Sequence, residues 1–440
     1  MIKVVANLAW PAAFEALFIG MIDLTDTAMV SALGIEAVAA VGLTSQPKRI
    51  LLMPILAVNV GATALISRFI GAGDEEGANR AMHQFLLICA IISAFLYFLG
   101  FLFARSFMLV CGAEADTVGL STAYFRIIVL GQFVQALGLT INACQRGAGN
   151  TKIAMFSNVA ANLFNVAFNY LLIYGKLGFP RLGVVGAAIA TALGCLMSFL
   201  ISVYTVAFNR SGSLSLHLSK EFWRLDHKLM EKFKVIAISA FGEQFFQRLG
   251  MFFYVLIVAK LGTMAFGTYQ ICMNIANFEG CIFDGFAIAA TALMGQGLGA
   301  KRQDLAERYS KYIVYLSYLT AVIISIPMVL FRSQIMAAFS SESDVVRYGG
   351  IVLMIISAAS ISTAGSASYA GVLRGAGDTK AVALWTMWST TVLRPIISWI
   401  LCYCFGLNLI GVWLGFLAGY LIRWIGLTAH FRKGGWKAAV

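Results

Sequence analysis

The chain has 440 residues, of which 60% are hydrophobic and only 12% are charged, and its mean hydropathy is +0.84. A soluble domain carries about 25% charged residues, so this composition excludes an ordinary soluble protein and predicts one that crosses a membrane repeatedly. The net charge of +12 does not indicate nucleic-acid binding, because the basic residues concentrate in alternate loops between apolar stretches.

Twelve apolar stretches follow one another, each close to the roughly 20 residues that a helix needs to cross a bilayer. The first six are predicted at 5–31, 46–70, 83–106, 119–145, 152–175 and 183–208. The second six are predicted at 233–259, 266–298, 311–331, 346–373, 382–405 and 409–430. The sequence therefore predicts an all-α polytopic membrane protein with lobes at 1–208 and 233–440, joined by a cytoplasmic connector at 209–232.

An internal repeat relates the two halves. The segment RGAGNTK at 146–152 returns 228 residues later as RGAGDTK at 374–380, and the same offset aligns Glu15 with Glu243. Each half holds an even number of spans, so both enter the membrane from the same side as parallel repeats. The glycines of both segments are predicted to form tight turns, with the flanking basic residues facing the cytoplasmic headgroups.

The distribution of Lys and Arg sets the expected topology. Alternate loops and both ends of the chain are rich in these residues, whereas the opposite loops carry fewer of them. By the positive-inside rule, the basic loops and both termini are predicted to be cytoplasmic. The expected location is the cell membrane, with the protein embedded as a multi-pass monomer in the lipid bilayer.

Polar side chains in the first half mark a candidate ion site. Asp26 lies inside the first predicted span, where an ionisable residue costs about 2.5–3.5 kcal/mol to insert. Asparagines recur every three or four residues along one face of the fifth predicted span, so they can share a sodium ion or a proton with Asp26 through their side-chain oxygens. The alternative is hydrogen bonding between helices. The expected set is Asp26 with Asn142, Asn162, Asn165, Asn169 and Thr191.

The second half lacks these groups. The offset of 228 residues places Tyr254 at the position of Asp26, Leu393 at that of Asn165 and Ile397 at that of Asn169. If these polar groups served only to pack the repeat, the second copy would need them too. The sequence therefore predicts a single ion site, in the first lobe.

A second polar group lies in the seventh predicted span. Glu243 and Arg248 could neutralise each other, or they could contact a transported compound, and both interpretations stay open. The candidate residues of a substrate cavity are Met29, Asn162, Glu243, Gln247, Arg248 and Tyr254. The charged residues without an assigned role are Glu15, Glu279, Asp284 and Arg394.

The chain resembles the multidrug and toxic compound extrusion (MATE) family from end to end, with its DNA-damage-inducible (DinF-like) branch as the expected subgroup. The resemblance rests on the motifs at 26–30, 33–34, 39–42, 61–64, 71–73, 183–188 and 295–300 and on both RGAG segments. It implies twelve helices in two six-helix lobes around a V-shaped central cavity. It also implies that Asp26 couples cations, and that Asn142, Asn165, Asn169 and Thr191 line the same site, although many relatives have aspartate where this chain has Asn169.

The resemblance further implies a proton- or sodium-coupled antiporter that exports amphipathic, mostly cationic compounds by alternating access. The alternatives are a lipid-linked precursor flippase of related architecture and a non-transporting membrane scaffold. We expect no enzymatic activity, because the sequence shows no paired catalytic motif and no His at mid-depth of a span. No cofactor is expected beyond the transported ion.

Overall fold

The structure is a computed structural model that describes residues 2–208, 213–217, 219 and 226–439. Most of this part of the chain is helical, with short loops between the helices and no strand among the described residues. The helices of the first half are α1 (Ile2–Ser31), α2 (Ile35–Gly71), α3 (Glu75–Leu102), α4 (Ala104–Val110), α5 (Val118–Gly147), α6 (Thr151–Tyr174) and α7 (Gly183–Ala207). The all-α prediction is confirmed.

The second half continues the pattern. Its helices are α8 (His227–Ala259), α9 (Thr263–Gly299), α10 (Gln303–Leu330), α11 (Arg332–Ala337), α12 (Ser343–Gly375), α13 (Thr379–Thr386), α14 (Arg394–Trp399) and α15 (Asn408–Arg432). Two π-helical stretches, Met387–Leu393 and Ile400–Cys404, flank α14, so that the backbone from Thr379 to Cys404 is one helical run. A 3-10 helix, Gly435–Ala439, follows α15.

Ten of the described helices are long and apolar enough to span a membrane. The predicted seventh and eleventh spans are outside these ten but are helical in the structure. Helix α8 contains Glu243, Gln247 and Arg248, which lower its hydropathy, and the run from Thr379 is divided by its π-helical stretches. With these two, each half contributes six long helices, as the sequence predicts.

The repeat is visible in the helix boundaries. Helices α2 and α9 begin at Ile35 and Thr263 and end at Gly71 and Gly299, which are pairs separated by the same 228 residues as the sequence motifs. The short helices α4 and α11 also occupy equivalent places in their halves. The predicted duplication of a six-span unit is confirmed.

The chain forms two compact units, Phe14–Lys234 and Met1–Ala13 with Val235–Val440. The sequence predicts residues 1–13 in the first lobe, whereas the structure groups them with the second half. The reason is packing, because Val5, Leu8 and Ala9 lie in one apolar cluster with residues of α9 that include Phe286. Most of the predicted connector (209–212, 218 and 220–225) lies outside the described residues.

The RGAG segments serve helix packing as well as turns. A Cβ atom at Gly147 would lie 2.7 Å from the carbonyl oxygen of Thr63, and one at Gly375 would lie 2.5 Å from that of Thr291. The Thr63 hydroxyl donates to the carbonyl of Ala143 at 3.0 Å, and Thr291 makes the equivalent bond in the second unit. Small residues let helix backbones approach closely in this way.

The turns themselves are as predicted. Gly149 and Gly377, the second glycines of the two segments, have φ angles of +92° and +82°. Only glycine adopts this left-handed region without strain. Each RGAG segment therefore combines a helix crossing at its first glycine with a turn at its second.

We predict that Gly147→Val or Gly375→Val lowers stability by about 1–3 kcal/mol, because the new side chain would overlap a threonine carbonyl of the crossing helix. The measurement is the Tm of the purified protein in detergent. Gly42→Val is the matched control, since Gly42 is exposed on α2 and a Cβ atom there would meet nothing within 4 Å. Equal Tm losses in all three variants would contradict close helix packing at Gly147 and Gly375.

Candidate functional site

The candidate ion site is built by three helices of the first unit. Helix α1 carries Asp26, α6 carries Asn165 and Asn169 one turn apart on one face, and α7 carries Thr191. The two asparagines are buried, with 5% and 2% of their surface exposed, and Asp26 is partly exposed. Residues from distant parts of the sequence thus meet at a single carboxylate.

The amide groups hold the carboxylate through their nitrogens. Asn169 donates from Nδ2 to Oδ1 of Asp26 at 2.7 Å. With its amide nitrogen turned toward α1, Asn165 donates to Oδ2 of Asp26 at 2.8 Å and to Oδ1 at 3.1 Å. In that orientation its oxygen accepts from the backbone N–H of Thr191 at 3.1 Å, so both ends of the amide are satisfied.

This geometry corrects one prediction. The sequence predicts asparagine oxygens facing Asp26, whereas the amide nitrogen of Asn169 faces it, and that of Asn165 does so in the orientation that satisfies both ends of its amide. The reason is charge, because an ionised carboxylate only accepts hydrogen bonds and therefore selects donors. One oxygen stays available, since Oδ1 of Asn169 is buried and has no hydrogen-bond partner among the described residues.

The oxygen atoms of this cluster suit a proton or a hard monovalent cation. Carboxylate, carboxamide and hydroxyl oxygens are the ligands that hard cations prefer, and the cluster holds all three types. The described residues contain no group of three or more His, Cys, Asp or Glu side chains that could hold a metal ion. An ion at this site would therefore be coordinated by the Asp26 carboxylate and by neutral amide and hydroxyl oxygens.

Two predicted members lie elsewhere. The side chain of Asn142 is buried and accepts from the hydroxyl of Ser202 at 3.0 Å. Asn162 donates from Nδ2 to the carbonyl of Asn158 at 2.8 Å, which is a bond within its own helix. The structure therefore brings Asp26, Asn165, Asn169 and Thr191 together, and it places Asn142 and Asn162 outside their contacts.

Asn142 belongs instead to a second polar network in the first unit. The carboxylate of Glu15 is paired with Arg146 and accepts from Nδ2 of Asn158 at 2.5 Å. Ser198 donates to Oδ1 of Asn158 at 3.1 Å, and Ser202 lies one turn further along α7. This network ties α1 at Glu15 to α5, α6 and α7.

The second unit repeats the ion pair. Arg374 donates to Glu243 from Nη2 at 2.5 Å and from Nε at 3.2 Å, and Arg423 adds a bond to the same carboxylate at 2.9 Å. Glu15 and Arg146 are separated by 131 residues, and so are Glu243 and Arg374. The pair is therefore part of the duplicated unit.

This arrangement replaces the predicted pairing of Glu243 with Arg248. The guanidinium groups of Arg374 and Arg423 come from α12 and α15, which pack against each other in the second unit. The sequence predicts instead that the arginines of the RGAG segments face the cytoplasmic headgroups. The signal that could have revealed the pairs is the joint recurrence of Glu and Arg at the same offset.

The remaining predicted cavity residues have different environments. Tyr254 is fully buried and donates from its hydroxyl to the carbonyl of Val412 at 2.8 Å, so it lines no open cavity in this structure. Met29 is partly buried and packs against the apolar cluster around Val30. Gln247 is partly exposed and Arg248 is exposed.

Comparison with known proteins gives the family. The family model MatE matches residues 11–171 and, again, residues 239–400, which is well over half of the chain. The chain belongs to the MatE family. The two matched ranges begin 228 residues apart, as the internal repeat does.

Relatives of this MATE protein match over nearly its whole length. It is 26% identical over 437 residues to a probable multidrug resistance protein NorM of Thermotoga maritima, covering 99% of this chain and 93% of the relative. It is 25% identical over 437 residues to the uncharacterized transporter YisQ of Bacillus subtilis, covering 98% and 94% of the two chains. The curated relatives thus support a multidrug efflux transporter that crosses the membrane many times.

Solved structures confirm the fold. An outward-facing multidrug resistance MATE family transporter of the MOP superfamily superimposes with a TM-score of 0.92 at 23% identity, covering 99% of this chain and 97% of that one. A MATE structure in a straight conformation gives the same TM-score, identity and coverage. The predicted fold of twelve helices in two repeats is therefore correct, and assignment to the DinF-like branch stays a prediction.

We predict that Glu243→Gln destabilises the protein by about 3–5 kcal/mol, because it leaves Arg374 and Arg423 facing a neutral amide in a buried site. Glu15→Gln is the matched variant in the first unit and should cost less, since Arg146 is the one arginine paired with Glu15 among the described residues. The measurement is Tm in detergent for each variant.

The double variants provide the control. Glu15→Gln with Arg146→Gln should recover most of the lost stability, since no buried charge of that pair remains. Glu243→Gln with Arg374→Gln should recover less, because Arg423 stays. Additive losses in both double variants would contradict coupling within the pairs.

Proposed function

We propose that this MATE protein is a cation-coupled antiporter that exports amphipathic, mostly cationic compounds by alternating access. The observation that carries the proposal is the carboxylate–amide cluster of Asp26, Asn165 and Asn169, which exists in one repeat and is replaced by apolar or aromatic residues in the other. A cluster needed for packing alone would be kept in both copies.

The coupling ion acts on the charge of Asp26. Amide N–H groups of Asn165 and Asn169 donate to the carboxylate, which suits its ionised form. An arriving proton would turn Asp26 into a donor, and the unpartnered Oδ1 of Asn169 is an acceptor within the same cluster. An arriving sodium ion would require the amides to rotate and present their oxygens.

Either ion would neutralise the site and so change which partners it favours. A cationic substrate is attracted to the ionised carboxylate and loses that attraction when Asp26 carries a proton or a sodium ion. Ion and substrate therefore bind to the Asp26 carboxylate alternately. The substrate favours the ionised carboxylate and the ion neutralises it, so binding of one promotes release of the other, which is the basis of exchange. The driving ion is thus a transported substrate of the protein.

The proposed membrane orientation follows from the distribution of Lys and Arg among the loops. The basic loops and both termini are proposed to lie in the cytoplasm, and the protein is proposed to act as a monomer in the cell membrane. With this orientation, export moves compounds from the cytoplasm outward. The opposing ion then enters down its gradient.

We expect Asp26→Asn to reduce export of a fluorescent lipophilic cation by tenfold or more, because the substituted amide carries no charge to be neutralised. The measurement is dye efflux from proteoliposomes under separately imposed sodium and proton gradients. Asp116→Asn is the control, since Asp116 is exposed between α4 and α5 and should leave efflux unchanged.

The two gradients give distinct results. The gradient that drives efflux in the parent protein identifies the coupling ion, and Asp26→Asn should abolish that drive. Undiminished gradient-driven efflux by Asp26→Asn would refute the proposed role. Absence of efflux by the parent under both gradients would favour a flippase or a scaffold.

A second substitution tests the amides. Asn169→Asp adds a carboxylate at the position whose amide nitrogen lies 2.7 Å from Asp26, so we expect transport to persist with an apparent affinity for the coupling cation at least severalfold higher. Asn169→Leu removes both the donor and the unpartnered oxygen and should lower that affinity. The measurement is the cation concentration at half-maximal efflux; identical values in both variants would exclude Asn169 from the site.

A further inference from the structure

Arg394 places a positive charge inside the apolar core of the second unit. Its side chain stems from α14, between the two π-helical stretches, and only 4% of its surface is exposed. A π-helical insertion in an α-helix is uncommon and often marks a functional site. A charged group at such depth is costly and needs a compensating partner.

Aromatic rings cover the faces of this guanidinium. Its Cζ lies 4.1 Å from the ring centroid of Tyr254 and 4.4 Å from that of Phe416, with Tyr420 at 5.9 Å. These cation–π contacts stabilise the charge in part, and they leave the edge of the planar group as its hydrogen-bonding surface.

Two donor atoms at that edge have no hydrogen-bond partner among the described residues, although the Tyr254 hydroxyl interacts with the same guanidinium. The Nε and Nη2 atoms of Arg394 are both buried without a hydrogen-bond partner. These two nitrogens direct parallel N–H groups to one side of the guanidinium, which is the fork that binds a carboxylate or another compact anion. Two adjacent donors of one charged group are therefore unsatisfied together.

A third unsatisfied donor lies in the same aromatic cluster. Trp413 is fully buried, its indole Nε1 has no partner among the described residues, and its ring centroid is 5.1 Å from that of Phe416. Phe416 is also the ring over which Arg394 lies. The cluster thus combines a buried cation with three unmatched N–H groups, and an anion beside the guanidinium would satisfy its charge and its two free donors.

The buried acids of the second unit are committed to other partners in the described part of the chain. Glu243 is bound by Arg374 and Arg423, Asp284 interacts electrostatically with the same two arginines, and Glu279 accepts a hydrogen bond from Ser360.

The tyrosine beside the guanidinium does not supply a negative charge either. Tyr254 donates its hydroxyl proton to the carbonyl of Val412. The described contacts of the core therefore leave the compensating charge to a ligand.

We propose that the second unit contains a binding site for a small monovalent anion of about the size of chloride, held by Nε and Nη2 of Arg394 and by the indole N–H of Trp413. The position equivalent to Asp26 in the duplicated fold is Tyr254, in contact with this cation, so the two halves carry opposite charges at related places. The site is independent of which compound is exported.

The test is the thermal stability of the purified protein at constant ionic strength, with chloride, bromide or formate replacing gluconate. A ligand that binds the folded state raises Tm, so we expect a rise of about 2 °C or more with chloride or bromide. Formate distinguishes a halide from a carboxylate, because a rise with formate and none with chloride or bromide would identify a carboxylate in place of the proposed chloride-sized anion. Crystals grown in bromide should show anomalous density beside Nε and Nη2 of Arg394.

Substitutions decide whether the effect arises at this site. Arg394→Met should abolish the anion-dependent rise, and Trp413→Phe, which keeps a ring and removes the N–H, should reduce it at least by half. Arg332→Met is the control, since Arg332 is exposed in the same unit and the rise should persist. If Arg394→Met does not fold, Trp413→Phe and the bromide density still decide.

Three results would overturn the proposal. The first is a Tm that is the same in all four salts. The second is an anion-dependent rise that survives unchanged in Arg394→Met or in Trp413→Phe. The third is density for water alone beside the guanidinium in bromide-grown crystals.

Discussion

Charge inside an apolar helical bundle must be matched by a partner, and this constraint organises both halves of the protein. Glu15 and Glu243 are matched by arginines that the duplicated sequence supplies 131 residues later, which fixes the first long helix of each repeat against the fourth. These ion pairs are buried and couple distant helices, so their partners are tightly constrained. We therefore assign these ion pairs a structural role.

Asp26 is matched in a different way. Amides of Asn165 and Asn169 hold it through hydrogen bonds, and neutral donors of this kind stabilise an ionised carboxylate without cancelling its charge. A carboxylate held so can exchange its partner for a proton or a small cation at modest cost. The distinction between acids that meet arginine and an acid that meets amides separates the scaffold from the candidate site.

Duplication makes this distinction visible. The ion pairs recur in both units, as do the helix boundaries, the threonine hydrogen bonds and the glycine crossings. The position of Asp26 diverges, with Tyr254 in its place and the guanidinium of Arg394 over the ring of that tyrosine. Features shared by both copies serve the fold, and the polar residues that differ mark where the copies acquired separate tasks.

The sequence by itself determined the helical class, the number of spans, the repeat and the core of the candidate site. Helical periodicity fixes which residues share a face of their own helix, so Asn165 and Asn169 were predictable as neighbours. Only the tertiary structure decided which helices meet, because interhelical packing is not encoded in the spacing along one helix. In the structure, Asn142 belongs to the Glu15 network and Glu243 pairs with arginines that are distant in sequence. Tyr254 is buried, and the amide nitrogens face Asp26.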